Sequence, residues 1–282
     1  MNLITIKKCQ RSLKKTMSAT KKNEFLVDNE EHSFEDWTIR YKSSHILPSK
    51  CTDQCENDEL CSFCIYTKEL HLPHLPEMVF PNNSLEIIHK SGCSIEFNAL
   101  DALKLVKDEN HSVKIACSEN WKKARQDSGL VNKTIGDFDW TFKTNYIGTY
   151  KNWNSRELTD LTIDKNKLMQ REKILLYRKL ILFEDELHDN GTSFCSVRIR
   201  VMPSGFFILL RYFLRVDGVI ISVSDARIYH EFINNYVIVE SSQREGKIRE
   251  LQIPLAVMND PDEVTSLIPL IDLKCEKLSL PT

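Results

Sequence analysis

The chain has 282 residues, of which 41% are hydrophobic, and its formal net charge is −2. Met1–Lys22 contains seven Lys or Arg residues and no acidic residue, so residues 23–282 carry 31 basic and 40 acidic residues. An acidic body argues against nucleic acid as a partner, because binding to phosphates needs a basic surface, and no stretch approaches the ~18 apolar residues of a membrane-spanning helix.

Residues 1–32 are predicted to be a disordered basic tail, followed by a single domain over residues 33–282. The Ser and Thr residues of the tail are also compatible with a mitochondrial transit peptide, although the tail lacks a convincing apolar face. The chain has nine cysteines and no secretory signal. This combination indicates reduced thiols and a protein of the cytoplasm and nucleus.

The next predicted elements are short strands with one capped helix between them. Asn98 is typical of a helix N-cap, and Asp101 follows at the third helical position, where an acidic residue is favourable. A second short helix is predicted to begin after Ser118. Alternating apolar residues predict strands over residues 37–41, 85–89, 94–97, 113–117 and 138–144, with a hairpin turn at Lys90-Ser91-Gly92.

Residues 164–190 are predicted to form a long helix that begins near Asp164 and ends at Asn190-Gly191. The apolar residues at helical spacing are Met169, Leu176, Leu180, Phe183 and Leu187. Strands are then predicted over residues 197–201 and 206–216. Asp217-Gly218 is expected to close a hairpin with a two-residue type I′ turn.

The C-terminal part is predicted to contain a hairpin turning at Asn234-Asn235, a short helix opened by Asp260-Pro261 and a closing strand over residues 276–280. Consecutive strands without regular βαβ alternation indicate an α+β fold, with mostly antiparallel β-sheets and packed helices in a single domain. Several arginines lie on the apolar strands, namely Arg198, Arg200, Arg211 and Arg215. Their expected partners are the acids of residues 184–189 or acids of a partner protein.

The Cys-rich loop over residues 45–70 contains the pattern Cys51-x3-Cys55-x5-Cys61-x2-Cys64. Four thiols within 14 residues could bind zinc in a tetrahedral, structural site, because four protein ligands leave no open position for water. The alternative is a flexible loop with ordinary thiols, since the central spacing is shorter than in common zinc modules.

The acidic run Glu184–Asp189 includes His188 and is compatible with a metal or acid–base site. A solvated or salt-bridging surface is favoured, because no second ligand cluster accompanies the run. The sequence has no nucleophile elbow, no His-Glu-x-x-His motif and no phosphate-binding glycine pattern. We therefore expect a protein that is not an enzyme. The alternatives are a zinc-stabilised interaction module with an unrelated partner and a carboxylate-metal hydrolase.

From about Trp37 to the C-terminus, the sequence resembles the TIP41-like family through several long motifs in the same order. These motifs are Glu69–Met78, Ile95–Leu103, Phe138–Thr141, Leu182–Asp189, Val201–Ser204, Phe213–Val219 and Asp225–His230. The resemblance implies a non-enzymatic regulator in TOR signalling that binds the catalytic subunit of type 2A-like serine/threonine phosphatases. A second implied partner is the alpha-four-type phosphatase-associated regulator.

The resemblance also implies a cleft that binds an extended tail of the phosphatase subunit. Carried over by motif, its contact residues are Asp101, Ile163, Val223 and Asp225. Val223 stands where animal members are expected to have Met, which changes the apolar contact there. The four-cysteine loop and the basic tail depart from the family pattern.

Overall fold

The computed structural model describes residues 26–51, 55, 60–70, 72, 74–106, 123 and 140–281. In chain order the strands are β1 (Leu26–Phe34), β2 (Trp37–Ser44), β3 (Met78–Val79), β4 (Ser84–His89), β5 (Ser94–Asn98), β6 (Thr149–Lys151), β7 (Ser155–Leu158), β8 (Leu176–Asp185), β9 (Gly191–Met202), β10 (Gly205–Val216), β11 (Ile220–Glu231), β12 (Tyr236–Lys247) and β13 (Leu270–Ser279). The helices are α1 (Ser62–Glu69), α2 (Ala99–Lys104), α3 (Lys165–Met169), α4 (Leu255–Met258) and α5 (Pro261–Val264), with a 3₁₀ turn at Leu187–Asp189.

Within the described residues the strands form two antiparallel sheets. The smaller sheet has the order β1-β2-β4-β5-β6, and the larger has the order β3-β8-β9-β10-β11-β12-β13-β7. This arrangement, with only short helices, confirms the predicted α+β, mostly antiparallel class. The longest described helix has eight residues, so no helix in this part of the chain could cross a membrane.

One hydrophobic cluster joins the two sheets. Ile39 and Ile95 of the smaller sheet and Ile208 and Leu210 of the larger belong to it, and each is almost fully buried. The even-numbered residues of β10 face this core. Because side chains alternate along a strand, the odd-numbered residues of β10 and β11 lie on the opposite face of the larger sheet. Two smaller apolar clusters cover that face.

The predicted long helix over residues 164–190 is wrong. Helix α3 begins as predicted, since the Asp164 carboxylate accepts hydrogen bonds from the backbone N–H groups of Asn166 and Lys167, but it ends at Met169. The following apolar residues form β8, which pairs with β9. Leu176 and Leu180 are four residues apart, and this even spacing places them on one face of either a helix or a strand. Pairing with β9 decides between the two.

The predicted tail extends too far, because its residues 26–32 lie in strand β1. This strand pairs with β2 along its length, and Glu30 forms an ion pair with Arg178 of β8. Its composition is polar, as is common for an edge strand that avoids pairing with other chains. An apolar alternation is therefore missing, which explains the missed strand. The first 25 residues of the tail lie outside the described residues.

Three further predictions need correction. Residues 140–144 do not form a strand: residues 140–141 form a turn, the fully buried Phe142 has a positive φ of 55°, and Thr144 makes an isolated β-bridge with Val106. The predicted loop over residues 45–70 contains helix α1. At the β10–β11 hairpin only Gly218 has a positive φ, and Val216 pairs with Ile220. The loop therefore has three residues and is not of type I′.

The other predicted elements in the described ranges are confirmed. Strands β4 and β5 form the hairpin at Lys90-Ser91-Gly92. The Asn98 side chain caps α2 by accepting a hydrogen bond of 2.8 Å from the backbone N–H of Asp101. Asp260 caps α5 in the same manner, and the closing strand is present but longer than predicted. The predicted strand over residues 113–117 and the helix after Ser118 lie outside the described residues.

Candidate functional site

Asp101 lies in the first turn of α2, beside the end of the smaller sheet. Its Oδ2 atom accepts hydrogen bonds from the Thr149 hydroxyl at 2.6 Å and from the Asn98 amide at 3.0 Å. The residue is half-buried. Asp101 thus connects α2 to β6 and also presents negative charge at the surface.

The other three predicted contact residues lie on the outer face of the larger sheet. Val223 and Asp225 are two residues apart on β11 and therefore share this face. Val223 packs with Phe213 and the α4–α5 segment, and Ile163 packs with Tyr229. All three predicted residues are nearly buried, with exposures of 5% for Ile163, 1% for Val223 and 3% for Asp225.

Asp225 is the acidic centre of a charged cluster between the two apolar patches of this face. Its carboxylate accepts hydrogen bonds from Arg211 Nε at 2.7 Å and Nη2 at 2.8 Å, and from Arg227 Nη2 at 3.1 Å. Arg211 also donates to the Asp262 carboxylate and to the Pro261 carbonyl, both in α5. We call Arg198, Arg211, Asp225, Arg227 and Asp262 the Arg211 cluster.

The strand arginines do not pair with the acids of residues 184–189, contrary to the prediction. Asp262 accepts two hydrogen bonds from Arg198, and Arg198 holds the pKa of the Asp262 carboxyl below its usual value. Arg215 pairs with Asp217 in the hairpin turn. Arg200 donates to the carbonyl of Leu168. The acids that neutralise these strands therefore come from β11, the hairpin turn and α5, and not from residues 184–189.

The structure brings Ile163, Val223 and Asp225 to one face of one sheet. Asp101 makes its hydrogen bonds at the smaller sheet, with Asn98 at the end of β5 and Thr149 at the start of β6. The bidentate bond between Asp225 and Arg211 gives Asp225 a structural role within the sheet. Direct contact of the four residues with a phosphatase stays a prediction.

The acidic run at 184–189 is not a helix face. Asp185 is buried, and its carboxylate accepts hydrogen bonds from the backbone N–H groups of Leu187 at 2.7 Å and Glu77 at 3.0 Å. Burial raises the pKa of the Glu184 carboxyl. His188 is also buried, in a left-handed conformation with a φ of 59°. In this arrangement Asp185 connects the turn to the segment before β3, which is a structural function.

The four cysteines of the 51–64 segment converge. Their Sγ atoms all lie within 4.8 Å of one another. The closest pairs are Cys51–Cys55 at 3.4 Å, Cys55–Cys64 at 3.5 Å and Cys51–Cys61 at 3.6 Å. A hydrogen bond from the backbone of Cys61 and the surrounding thiols lower the pKa of Cys55 to about 7, whereas the thiols of Cys55 and Cys61 raise the pKa of Cys64 to about 12.

A cavity of about 300 Å³ lies where the two sheets meet, and no pattern in the sequence predicts it. It is lined by Trp37, His89 and His230, with Glu35 and Asp36 at its rim. Burial lowers the pKa of His230 to about 4, and its Nδ1 bonds the carbonyl of Tyr236 at 2.9 Å. The two imidazoles and the carboxylates of Glu35 and Asp36 make the lining of this cavity polar. The residues come from four separate segments, so spacing could not predict their proximity.

A second unpredicted feature is the exposed edge of the larger sheet. Strand β7 pairs with residues 276–279 of β13, and among the described strands the first half of β13 pairs with β12 alone. Leu270, Ile271 and Leu273 on this half are at least 47% exposed. An apolar edge of this kind can accept an added strand from a partner.

Comparisons with known proteins agree with the motif resemblance. Residues 78–252 match the model of the TIP41-like family. The TIP41-like protein of Homo sapiens is 40% identical over 261 residues, which cover 91% of this chain and 92% of the human protein. The type 2A phosphatase activator TIP41 of Saccharomyces cerevisiae is 39% identical over 277 residues, covering 89% of this chain and 75% of the yeast protein. The type 2A phosphatase activator tip41 of Schizosaccharomyces pombe is 29% identical over 89% of this chain.

Proposed function

This chain belongs to the TIP41-like family, and we propose that it is a non-enzymatic regulator that binds the catalytic subunit of type 2A-like serine/threonine phosphatases. The observation that carries the proposal is the 39% identity, over 89% of the chain, to a yeast protein named as a type 2A phosphatase activator. Residues that belong to the family motifs also build the fold here, including Asn98, Asp185 and the β10–β11 hairpin. The proposed activity is regulation through binding.

The proposed setting is TOR signalling in the cytoplasm and nucleus. The nine cysteines support a reducing compartment. An alpha-four-type phosphatase-associated regulator is the proposed second partner, which would join a ternary complex or bridge the two proteins. Imaging of a fluorescent fusion tests the compartment, and exclusion from both cytoplasm and nucleus would contradict it.

Asp101 is the predicted residue that is best placed for a direct contact. Its carboxylate is half-buried and held by Thr149 and Asn98, so its position is fixed before a partner arrives. A fixed carboxylate can orient a basic group or backbone N–H groups of an extended peptide. Ile163, Val223 and Asp225 are nearly buried, so we propose that they shape the outer face of the larger sheet and place its surface residues.

The test is a binding titration of purified protein against a purified type 2A catalytic subunit, followed by light scattering to confirm the complex. The variant is Asp101→Lys. Its matched control is Glu250→Lys, which makes the same charge change at an exposed residue that forms an ion pair with the neighbouring Lys247. We expect saturable binding by the wild type and the control, and at least about tenfold weaker binding by Asp101→Lys, since about 1.4 kcal/mol corresponds to a factor of ten.

Circular dichroism and urea unfolding first establish that each variant is folded. Absence of binding by the folded wild type, both alone and with an alpha-four-type regulator present, would contradict the proposed function. Equal binding by Asp101→Lys and the wild type would retain the function and remove Asp101 from the interface. The exposed edge of β13 is then the next surface to test, with Leu273→Asp.

A further inference from the structure

The first observation is the size of the space between the four cysteine sulfur atoms. A zinc ion held by four thiolates at about 2.3 Å requires sulfur atoms roughly 3.8 Å apart, as follows from tetrahedral geometry. The observed separations of 3.4, 3.5 and 3.6 Å, within an overall limit of 4.8 Å, agree with this requirement. They are too long for disulfide bonds, which join sulfur atoms at about 2.05 Å.

The second observation is that burial does not explain why the thiols converge. Cys51 and Cys55 are exposed, and Cys61 and Cys64 are only half-buried. Thiols are weak hydrogen-bond donors and acceptors, so four of them gain little from contact with one another in water. A group that binds all four sulfur atoms at once accounts for the convergence.

The third observation is the structural support for two of the four ligands. Cys61 is the N-cap residue of α1, and Cys64 lies in its first turn. The helix is anchored in the main core by Tyr66, which is 3% exposed, and by Leu70, which is 4% exposed. The Tyr66 hydroxyl also donates to the Pro81 carbonyl. Two thiols therefore belong to a fixed helix, and the thiols of Cys51 and Cys55 lie against them.

We propose that Cys51, Cys55, Cys61 and Cys64 bind one zinc ion in a closed, structural site. Each thiol loses its proton to solvent when it binds the metal. Four protein ligands complete the coordination of Zn²⁺, so the site has no position for a substrate or an activated water molecule.

The role of the site is to hold Cys51 and Cys55 against α1. From α1 the Glu69 carboxylate forms an ion pair with Lys104 of α2, and α2 carries Asp101. The zinc-bound segment is therefore connected to the helix of the predicted phosphatase contact. The zinc site itself does not depend on the proposed function, because its ligands and geometry stand without any partner.

The test uses the full-length protein purified under reducing conditions without chelators, with metal content measured by plasma mass spectrometry. We expect one zinc ion per chain in the wild type and none in Cys61→Ser/Cys64→Ser. The matched control is Cys275→Ser, which replaces a half-buried cysteine outside the cluster and should keep its zinc. Stoichiometric iron in place of zinc would overturn the choice of metal, because thiolates also bind iron.

A second measurement does not depend on the folding of the double variant. Cobalt(II) titrated into zinc-free, reduced wild-type protein should give the strong visible absorption of a tetrahedral tetrathiolate complex, saturating at one equivalent and displaced by zinc. Cys275→Ser should give the same spectrum. Wild-type protein that is purified without zinc and gives no tetrahedral cobalt spectrum would overturn the proposal.

Discussion

The four-cysteine cluster and the Arg211 cluster are both convergences of polar side chains, but the chain builds them in opposite ways. The cysteines lie within 14 residues of one another and at the surface. The Arg211 cluster combines β9, β10, β11 and α5, with Arg198 and Asp262 separated by 64 residues, and its central pair is buried. A local cluster can be recognised from spacing, whereas a long-range cluster depends on strand register.

We expect the largest loss of stability at the central ion pair of the Arg211 cluster, between Arg211 and Asp225. Asp225→Asn leaves the Arg211 guanidinium buried without its main anionic partner, and we expect the free energy of unfolding to fall by about 3–5 kcal/mol. The measurement is equilibrium urea unfolding. The control is Asp217→Asn, which removes a pair with Arg215 whose acid is 57% exposed. That variant should change stability by less than about 1 kcal/mol.

A double variant separates the cost of an unpaired charge from the contribution of the pair. Arg211→Met/Asp225→Leu removes both charges and fills a similar volume, so it should be more stable than Asp225→Asn alone. Equal stability of Asp225→Asn and the Asp217→Asn control would show that the pair is not the buried centre that the structure indicates.

The free energy of unfolding should also depend on pH, because His230 of β11 is buried beside the cavity between the two sheets. Burial lowers the pKa of His230 from 6.5 to about 4, so between these values the unfolded chain binds a proton that the folded chain does not. Stability contributed by the neutral ring is complete above about pH 6.5 and is lost as the pH falls toward 4, by up to about 3 kcal/mol. Burial also lowers the pKa of His89 in the same cavity, which adds in the same direction.

Urea unfolding of the wild type and His230→Gln between pH 4 and 7 measures this effect. The variant should show a shallower loss of stability over that range, and His45→Gln, which replaces an exposed histidine, should follow the wild type. Parallel pH profiles for His230→Gln and the wild type would rule out His230 as the source.

At the four-cysteine cluster, loss of zinc should lower the stability of α1 alone. We expect amide hydrogen exchange at Ile65 and Leu70, whose N–H groups close turns of α1, to accelerate at least about tenfold in Cys61→Ser/Cys64→Ser. This corresponds to about 1.4 kcal/mol of local stability. Exchange at Leu210, in the centre of the larger sheet, should not change. Acceleration at all three amides would mean that the segment supports the whole fold.

The elements that can be predicted from the sequence follow the same division between local and long-range structure. Asn98 as a helix cap and the short helix after Asp260 depend on a few neighbouring residues, and the structure confirms both. The Asp217-Gly218 hairpin is also present, but its loop has three residues instead of the two predicted. Strand β8 was read as a helix because its apolar residues satisfy both periods, and only pairing with β9 resolves the ambiguity. Strand β1 has no apolar pattern because its acidic residues face solvent and Arg178.

The Arg211–Asp225 pair shows how one residue of register hides a long-range contact. A two-residue turn at Asp217-Gly218 pairs Val216 with Val219 and places Ser224 opposite Arg211. The observed three-residue loop pairs Val216 with Ile220 and places Asp225 there instead. A prediction of the correct loop length, three residues instead of two, identifies the pair, because register determines every cross-strand neighbour.

The smallest expected effect on stability concerns Asp101, where the predicted binding role and the structural role can be separated. Asp101→Asn should lower the free energy of unfolding by about 0.5–1 kcal/mol, since it weakens the bond from Thr149 and the favourable charge at the start of α2. Thr149→Val is the matched variant, because it removes the same hydrogen bond and keeps the carboxylate. Urea unfolding and the phosphatase titration are measured on both.

If Asp101 contacts the phosphatase through its charge, Asp101→Asn should bind more weakly by at least about tenfold, which is about 1.4 kcal/mol. Thr149→Val should bind like the wild type despite a similar loss of stability. Equal weakening in both variants would instead mean that Asp101 acts by fixing α2 to β6. In that case the contact with the partner lies on neighbouring residues of α2, and the carboxylate has the same structural role here that Asp225 has in the Arg211 cluster.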